Sequence, residues 1–283
     1  MKVKSASKNT EQFLFLFLLA CLLLLRVLYP VLKGFGVLKF PDSAGSLLSD
    51  DVPYILAALL ILLKRNTLAQ YNVGKIALIL FVIAPLLNYG AQYFMYLKLY
   101  GGQITPSLNV SVVASLLLAL GLLILNPKLP KRSIKNTLLW LAIAAAVGIA
   151  MGTASALYSK NLFSDLEGAS YAAPTVMASL YTFISQLSGS AVISALLFRG
   201  FLWGYLEDKG WSWYWILLFQ ATLVTLGGIH YAFSGYAYTI ISAFIAALIM
   251  GLLAWRSKCV APGIAASAFQ SVTLNIMLYL FIQ

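Results

Sequence analysis

The sequence predicts an all-α, polytopic membrane helix bundle of about nine transmembrane helices, with eight as the alternative. Three observations predict it. Hydrophobic residues make up 61% of the 283 positions and charged residues only 10%, with a mean hydropathy of +0.90. Apolar runs recur along the whole chain at the length a membrane span requires, roughly 20 residues. The basic residues concentrate in alternate connections between those runs. A composition this apolar leaves little room for any other class of protein.

In order, the candidate spans cover about 12–33, 48–64, 74–98, 108–126, 136–158, 176–207, 212–232, 236–255 and 261–282. The first contains "LLAC", Leu18 to Cys21, which looks like a lipoprotein cleavage site. The apolar run continues directly through "LLLLRVLYP", so it reads as an uncleaved helix. The second run has Asp50, Asp51 and Pro53 crowding its start. Demoting it to a re-entrant or interfacial piece gives the eight-span alternative. The fifth carries "GIAMG", Gly148 to Gly152, with Ala156 one turn on, and the sixth carries Gly200 and Gly204. Small residues at this spacing allow close approach of helix backbones. "WSWYW", 211–215, stands where the seventh run begins, and its aromatic rings suit a membrane interface.

The net charge of +11 does not point to nucleic acid. With the N-terminus cytoplasmic, the cytoplasmic segments hold Lys2, Lys4, Lys8, Lys64, Arg65, Lys75, Lys128, Lys131, Arg132, Lys135, Lys209, Arg256 and Lys258. The opposite side holds Lys33, Lys39, Lys98 and Lys160. That split follows the positive-inside rule and places the C-terminus outside. A nucleic-acid partner is not expected, because no soluble unit exists to present a basic reading surface. The two cysteines, Cys21 and Cys259, fall in a span and in a cytoplasmic connection, which argues against a disulfide between them.

The clearest boundary is "NPKLPKRSIKN", 126–136, with two prolines and four basic residues. It divides an N-terminal four-helix membrane region, 1–135, from a C-terminal helix core, 136–283.

The acids are Glu11, Asp42, Asp50, Asp51, Asp165, Glu167, Glu207 and Asp208, and each lies at a span end or in a connection. Glutamyl or aspartyl proteolysis inside a membrane needs a buried carboxylate to activate water, and proton-coupled transport commonly needs one as a relay. Neither chemistry finds a candidate. No metal or other cofactor is expected. The polar groups inside the spans are mostly neutral. Gln186, Ser190 and Ser194 recur every fourth residue and share a face of the sixth helix. Ser267, Ser271 and Asn275 do the same on the last helix, with Gln270 beside them, and His230 is the single histidine. Hydrogen bonding between helices accounts for such stripes, and so does a polar cavity with a ligand. Arg199 sits in "SALLFRGFLWGYLEDKG", 194–210, with no acid one turn before it.

Residues 136–283 resemble the CPBP family, which includes the type II CAAX prenyl proteases and the bacteriocin-processing, Abi-like proteins. The family's first motif is a glutamate pair followed after three residues by arginine, commonly in "EELLFRG". This sequence has "SALLFRG", with Ser194 and Ala195 at the glutamate positions and Arg199 at the arginine. The second motif ends in a histidine four residues after phenylalanine; here Leu226 and His230 hold those places. The third is a histidine followed four residues later by asparagine or aspartate, beyond a proline. "APGIAASAFQS" keeps Pro262 but has Ser267 and Ser271 at those two positions. The resemblance implies a membrane-embedded helix core. It also implies that the glutamates and histidines, which activate the attacking water in the family, are largely absent here. A serine hydroxyl is a poor proton acceptor near neutral pH and does not replace a glutamate.

The expected function is therefore a catalytically inactive CPBP-type protein that scaffolds or regulates a partner membrane protein, with no catalytic residue of the family type. Two alternatives remain open. One is a binder or carrier of a membrane lipid or isoprenoid, or an immunity-type protein. The other is a serine–histidine hydrolase using Ser188, Ser190 or Ser194 with His230. Candidate contacts to a partner or ligand are Arg199, His230, Gln186, Ser190, Gln270 and Asn275. The expected location is the plasma (inner) membrane.

Overall fold

The computed structural model describes residues 2–38, 47–100, 110–130, 133–163, 176–187, 190–229 and 237–282. All regular structure among these residues is helical. Helices α1 (Lys2–Leu23) and α2 (Tyr29–Gly34) join through a π-helical turn, Leu24–Leu28. Another π turn, Leu47–Asp51, leads into α3 (Val52–Leu63). Pro30 and Pro53 follow closely on these two π turns, so each removes a backbone donor within a continuous helical run. After a 3-10 turn, Leu68–Tyr71, come α4 (Lys75–Tyr100), α5 (Val110–Leu125) and α6 (Ile134–Phe163). Helices α7 (Val176–Leu187) and α8 (Ser190–Ser194) precede a long π segment, Ala195–Leu202, which continues into α9 (Trp203–Asp208). The chain ends in α10 (Trp213–Gly227), α11 (Ala237–Ser257) and α12 (Ala261–Ile282).

Among the described residues, six stretches are long and apolar enough to cross a membrane: Asn9–Gly34, Lys75–Tyr93, Ile134–Ser159, Ala178–Asp208, Ile240–Ser257 and Ala261–Phe281. Val110–Leu125 and Trp213–Gly227 are apolar but shorter. The outward faces carry bare Leu123, Ile124, Leu138 and Leu139. Such a surface is costly in water and neutral in hydrocarbon. The chain is a multi-pass membrane protein.

The larger core gathers residues from both sides of the proline-rich boundary at 126–136. Leu22, Tyr54, Leu60, Phe81, Leu196, Phe201, Trp203 and Ile264 are nearly or wholly excluded from solvent. The Tyr54 and Phe81 rings stack with centroids 4.4 Å apart, and the Tyr54 hydroxyl donates to the Phe81 carbonyl at 3.2 Å. A smaller core of Ala144, Ala246, Met250, Leu253 and Ala266 joins α6, α11 and α12.

Glycines set the closest crossings. A Cβ on Gly148 would lie 2.5 Å from the Ala266 carbonyl oxygen, and one on Gly152 would lie 2.6 Å from that of Gln270. Helices α6 and α12 therefore meet backbone to backbone, as "GIAMG" led us to expect. Gly200 and Gly204 press instead on the 3-10 turn. Cβ atoms there would lie 3.1 Å from the Tyr71 carbonyl oxygen and 2.6 Å from its ring. The turn before α12 is tied to the same region, with Val260 N–H donating to the Asn72 carbonyl at 3.1 Å. Trp211, Trp213, Tyr214 and Trp215 are exposed at the start of α10. Trp213 stacks on Trp255 at 4.5 Å, and the Arg256 guanidinium lies 4.6 Å from the Trp255 ring.

Candidate functional site

Ser194 ends α8, and the chain then winds as a π-helix through Arg199 to Leu202. Every residue from Ala195 to Leu202 is buried. π segments carry a wider turn than an α-helix and often mark functional positions. Ser194 does not face a carboxylate. Its Oγ accepts a hydrogen bond from Arg26 Nη2 at 2.8 Å. Arg26 comes from the other π turn, Leu24–Leu28, and its Nη1 donates to the Ser49 carbonyl at 3.0 Å. The field of Asp50 reaches this guanidinium, while the Asp50 Oδ2 itself accepts from Ser49 Oγ at 3.0 Å.

The same part of α1 closes on the second motif region. A Cβ on Gly227 would lie 2.7 Å from the Arg26 carbonyl oxygen. The π turn around Arg26 thus packs against Ser194 on one side and the end of α10 on the other. Sequence reasoning passed over Arg26. Its signal was present: an arginine inside an apolar run with no acid within one helical turn is costly in a bilayer and needs a partner.

Arg199 is 6% exposed and lies inside the bundle. Its Nη2 donates to Met250 Sδ at 3.3 Å, and its Nε has no hydrogen-bond partner among the described residues. A Cβ on Gly263, in the first turn of α12, would lie 3.5 Å from Arg199 Nη1. The guanidinium therefore sits against the positive end of a helix dipole, an unfavourable place for a cation.

The remaining predicted positions are spread around this centre. Ala195 is fully buried, and Leu226 is exposed. Ser267 and Ser271 are half-buried on α12, and so are Gln186 on α7 and Gln270 on α12. Asn275 Nδ2 donates to Thr182 Oγ1 at 3.5 Å, linking α12 to α7. His230 and Ser188 lie outside the described residues, and so does the side chain of Ser190. A second residue missed in the sequence is Gln220 on α10. It is fully buried, and its Nε2 donates to the Ala247 carbonyl at 3.0 Å while its Oε1 has no partner among the described residues. It lies among apolar neighbours in sequence, and no periodic polar stripe announces it.

The acids among the described residues hold the periphery. Glu11 pairs with Lys64 at 2.8 Å and Glu207 with Lys258 at 3.8 Å. Asp51 Oδ1 accepts from the Ser111 N–H at 3.2 Å, near the start of α5. Among the described residues no group of three or more His, Cys, Asp and Glu side chains comes together. Chemically, the centre holds a hydroxyl bonded to a guanidinium and a second, deeply buried guanidinium. It can donate to an anion or a neutral acceptor, and Arg26 beside it opposes basicity at Ser194.

The model of type II CAAX prenyl endopeptidase Rce1-like proteins matches residues 173–273. No curated protein and no solved structure matches the chain.

Proposed function

We propose that this membrane protein, whose residues 173–273 match type II CAAX prenyl endopeptidase Rce1-like proteins, is a catalytically inactive relative of those enzymes. It acts as a scaffold or regulator of a partner membrane protein, in the plasma membrane, with its N-terminus in the cytoplasm. The observation that carries this reading is the contact of Arg26 Nη2 with Ser194 Oγ at 2.8 Å. By the family resemblance Ser194 stands where a water-activating glutamate is expected. A general base must accept a proton at working pH. A hydroxyl held by a guanidinium is poorly suited to that, because the positive charge further disfavours protonation of its oxygen.

The reading is tested by incubating purified full-length protein with a farnesylated CAAX peptide, and by identifying proteins that co-purify in mild detergent. The reading expects no cleavage and one stoichiometric membrane partner. Steady cleavage that Arg26→Ala or Ser194→Ala changes would overturn it. The serine–histidine alternative predicts labelling of Ser188, Ser190 or Ser194 by a fluorophosphonate probe. At Ser194, Arg26 takes up a lone pair of the hydroxyl oxygen, which makes it a poorer nucleophile and speaks against that one of the three. Lipid binding, the other alternative, draws support from a different part of the bundle.

A further inference from the structure

Helices α6, α11 and α12 border a cavity of about 450 Å³ that is open on one side, walled largely by apolar side chains such as Met151, Ala246 and Ile249. Its volume is within the range of small-molecule sites. None of Ser194, Arg199, Ser267 and Ser271 lines it. Four polar side chains do, Ser155 and Tyr158 from α6, Ser242 from α11 and Gln270 from α12. Among the described residues Ser155 and Gln270 make no side-chain hydrogen bond, whereas Tyr158 and Ser242 are already engaged. The cavity lies just beyond the contact of Gly152 with the Gln270 backbone, which fixes where α6 and α12 meet.

Gln270 lies near the middle of α12, away from either helix end. At that depth water does not satisfy a side-chain amide, and an unpaired polar group in apolar surroundings is costly. The Gln270 amide supplies two N–H donors and an acceptor, and Ser155 supplies a hydroxyl. No lining residue carries a charge. An anionic or cationic head group would be desolvated there with no counter-ion. The complement is an apolar chain bearing one uncharged oxygen.

We propose that this cavity binds a neutral, long-chain oxygenated lipid, whose oxygen accepts hydrogen bonds from Gln270 and Ser155 while its chain lies along the Met151, Ala246 and Ile249 walls. Two sources carry that chemistry: a free long-chain alcohol, or the ester of a neutral diacylglycerol. The site does not depend on whether the chain cleaves peptides.

The test uses full-length protein in phosphatidylcholine nanodiscs and four diazirine-bearing probes: hexadecanol, hexadecane, hexadecyl phosphate and a diacylglycerol. Labelling is mapped by mass spectrometry. The alcohol, the diacylglycerol or both should label peptides covering 150–158 and 241–249 at least about threefold more than the alkane, the preference one intramembrane hydrogen bond supports. Whichever is stronger identifies the source. Gln270→Leu should bring that probe down to the level of the alkane, and Ala246→Phe should suppress labelling by all four. Ser155→Ala gives the same comparison if Gln270→Leu does not fold, as judged by thermal melting. Equal labelling by both neutral oxygenated probes and the alkane would overturn the proposal. So would strongest labelling by the phosphate, or a preference that survives both Gln270→Leu and Ser155→Ala.

Discussion

Arg26 Nη2 and Ser194 Oγ lie 2.8 Å apart, joining residues 168 positions distant in the sequence. The contact ties the first helix to the segment that resembles the family's glutamate motif. Both ends lie at π windings, Leu24–Leu28 and the Ala195–Leu202 segment that follows Ser194. Removing Arg26 leaves two acceptors, Ser194 Oγ and the Ser49 carbonyl, without this donor. Arg26→Ala should therefore lower stability by about 1–3 kcal/mol. Ser194→Ala should cost about 0.6–2 kcal/mol. Thermal melting of both variants and the double variant gives the coupling directly. Additive losses would show that the contact has no energetic role.

Ser194→Glu tests the same relationship from the other side. The new carboxylate would meet a guanidinium already in place, forming a charge-assisted hydrogen bond. The variant should fold in wild-type Arg26 protein and fold poorly beside Arg26→Ala, where the carboxylate would be buried without that counter-charge. It should not cleave a farnesylated peptide, because Ala195, Ser267 and Ser271 still differ from the family pattern. Equal folding in both backgrounds would sink this account of the site.

Much of the fold was legible from composition and small-residue spacing. "GIAMG" marked α6 as a helix of close approach, because only glycine tolerates a carbonyl 2.5 Å from its Cβ position, but it did not name α12 as the neighbour. Gly200 and Gly204 were legible as close-packing residues, but not their neighbour. Nothing local to that segment names Tyr71, 129 to 133 positions away, as the group that fills the space. The site was half legible. Arg199 stood out because a short motif surrounds it. Arg26 did not, since its partners are a hydroxyl and a carbonyl rather than an acid, and both come from distant segments. Gln220 was hidden for the same reason: its acceptor is a backbone carbonyl on α11.

Gly148 and Gly152 should be intolerant of any side chain. Their Cβ positions meet backbone atoms of α12, and backbone does not move aside as a flexible side chain does. Gly148→Ala and Gly152→Ala should each lower stability by about 1–3 kcal/mol, the usual range for overpacking. Gly90→Ala is the control, because nothing lies within 4 Å of its Cβ position. Thermal melts in one detergent compare all three. A control that falls as far as the other two would assign the loss to glycine removal in general.

Tyr71 offers a pH test outside the spans. Burial, with Asp208 and Glu11 adding their charges, pushes its phenol up to about 12. The unfolded phenol titrates near 10. A folded pKa above the unfolded one means that this contribution is complete below pH about 10 and is lost as pH rises toward 12. Wild type should therefore lose stability relative to Tyr71→Phe across that window. Parallel curves for the two proteins would show that Tyr71 titrates as it does in an unfolded chain.

The basic residues predict orientation. If the connections at 64–75 and 127–135 face the cytoplasm, a cytoplasm-active reporter inserted in either should work, and one fused at the C-terminus should not. The reverse pattern would invert the bundle. The same reverse pattern with a cytoplasmic N-terminus is what the eight-span alternative gives, with Val52–Leu63, only 12 residues long, as the piece that does not cross. Activity at all three sites would remove the nine-span order, in which five crossings follow 127–135.

Arg199 separates an internal role from a partner-facing one. Its guanidinium is buried, meets Met250 Sδ, leaves Nε without a partner among the described residues and lies by the start of α12. A charge held so poorly stabilises the isolated chain little, and a well-packed apolar replacement for such a group is often neutral or stabilising. Arg199→Met should therefore melt at the same temperature as wild type or higher. If the bundle opens on association so that a partner's carboxylate reaches this guanidinium, the same variant should lose the co-purifying protein, and Arg199→Lys should lose most of it, since lysine lacks the planar fork of donors. A lower melting temperature with the partner retained would make Arg199 a structural residue of this chain alone. An unchanged melt with the partner retained would remove Arg199 from the proposed interface.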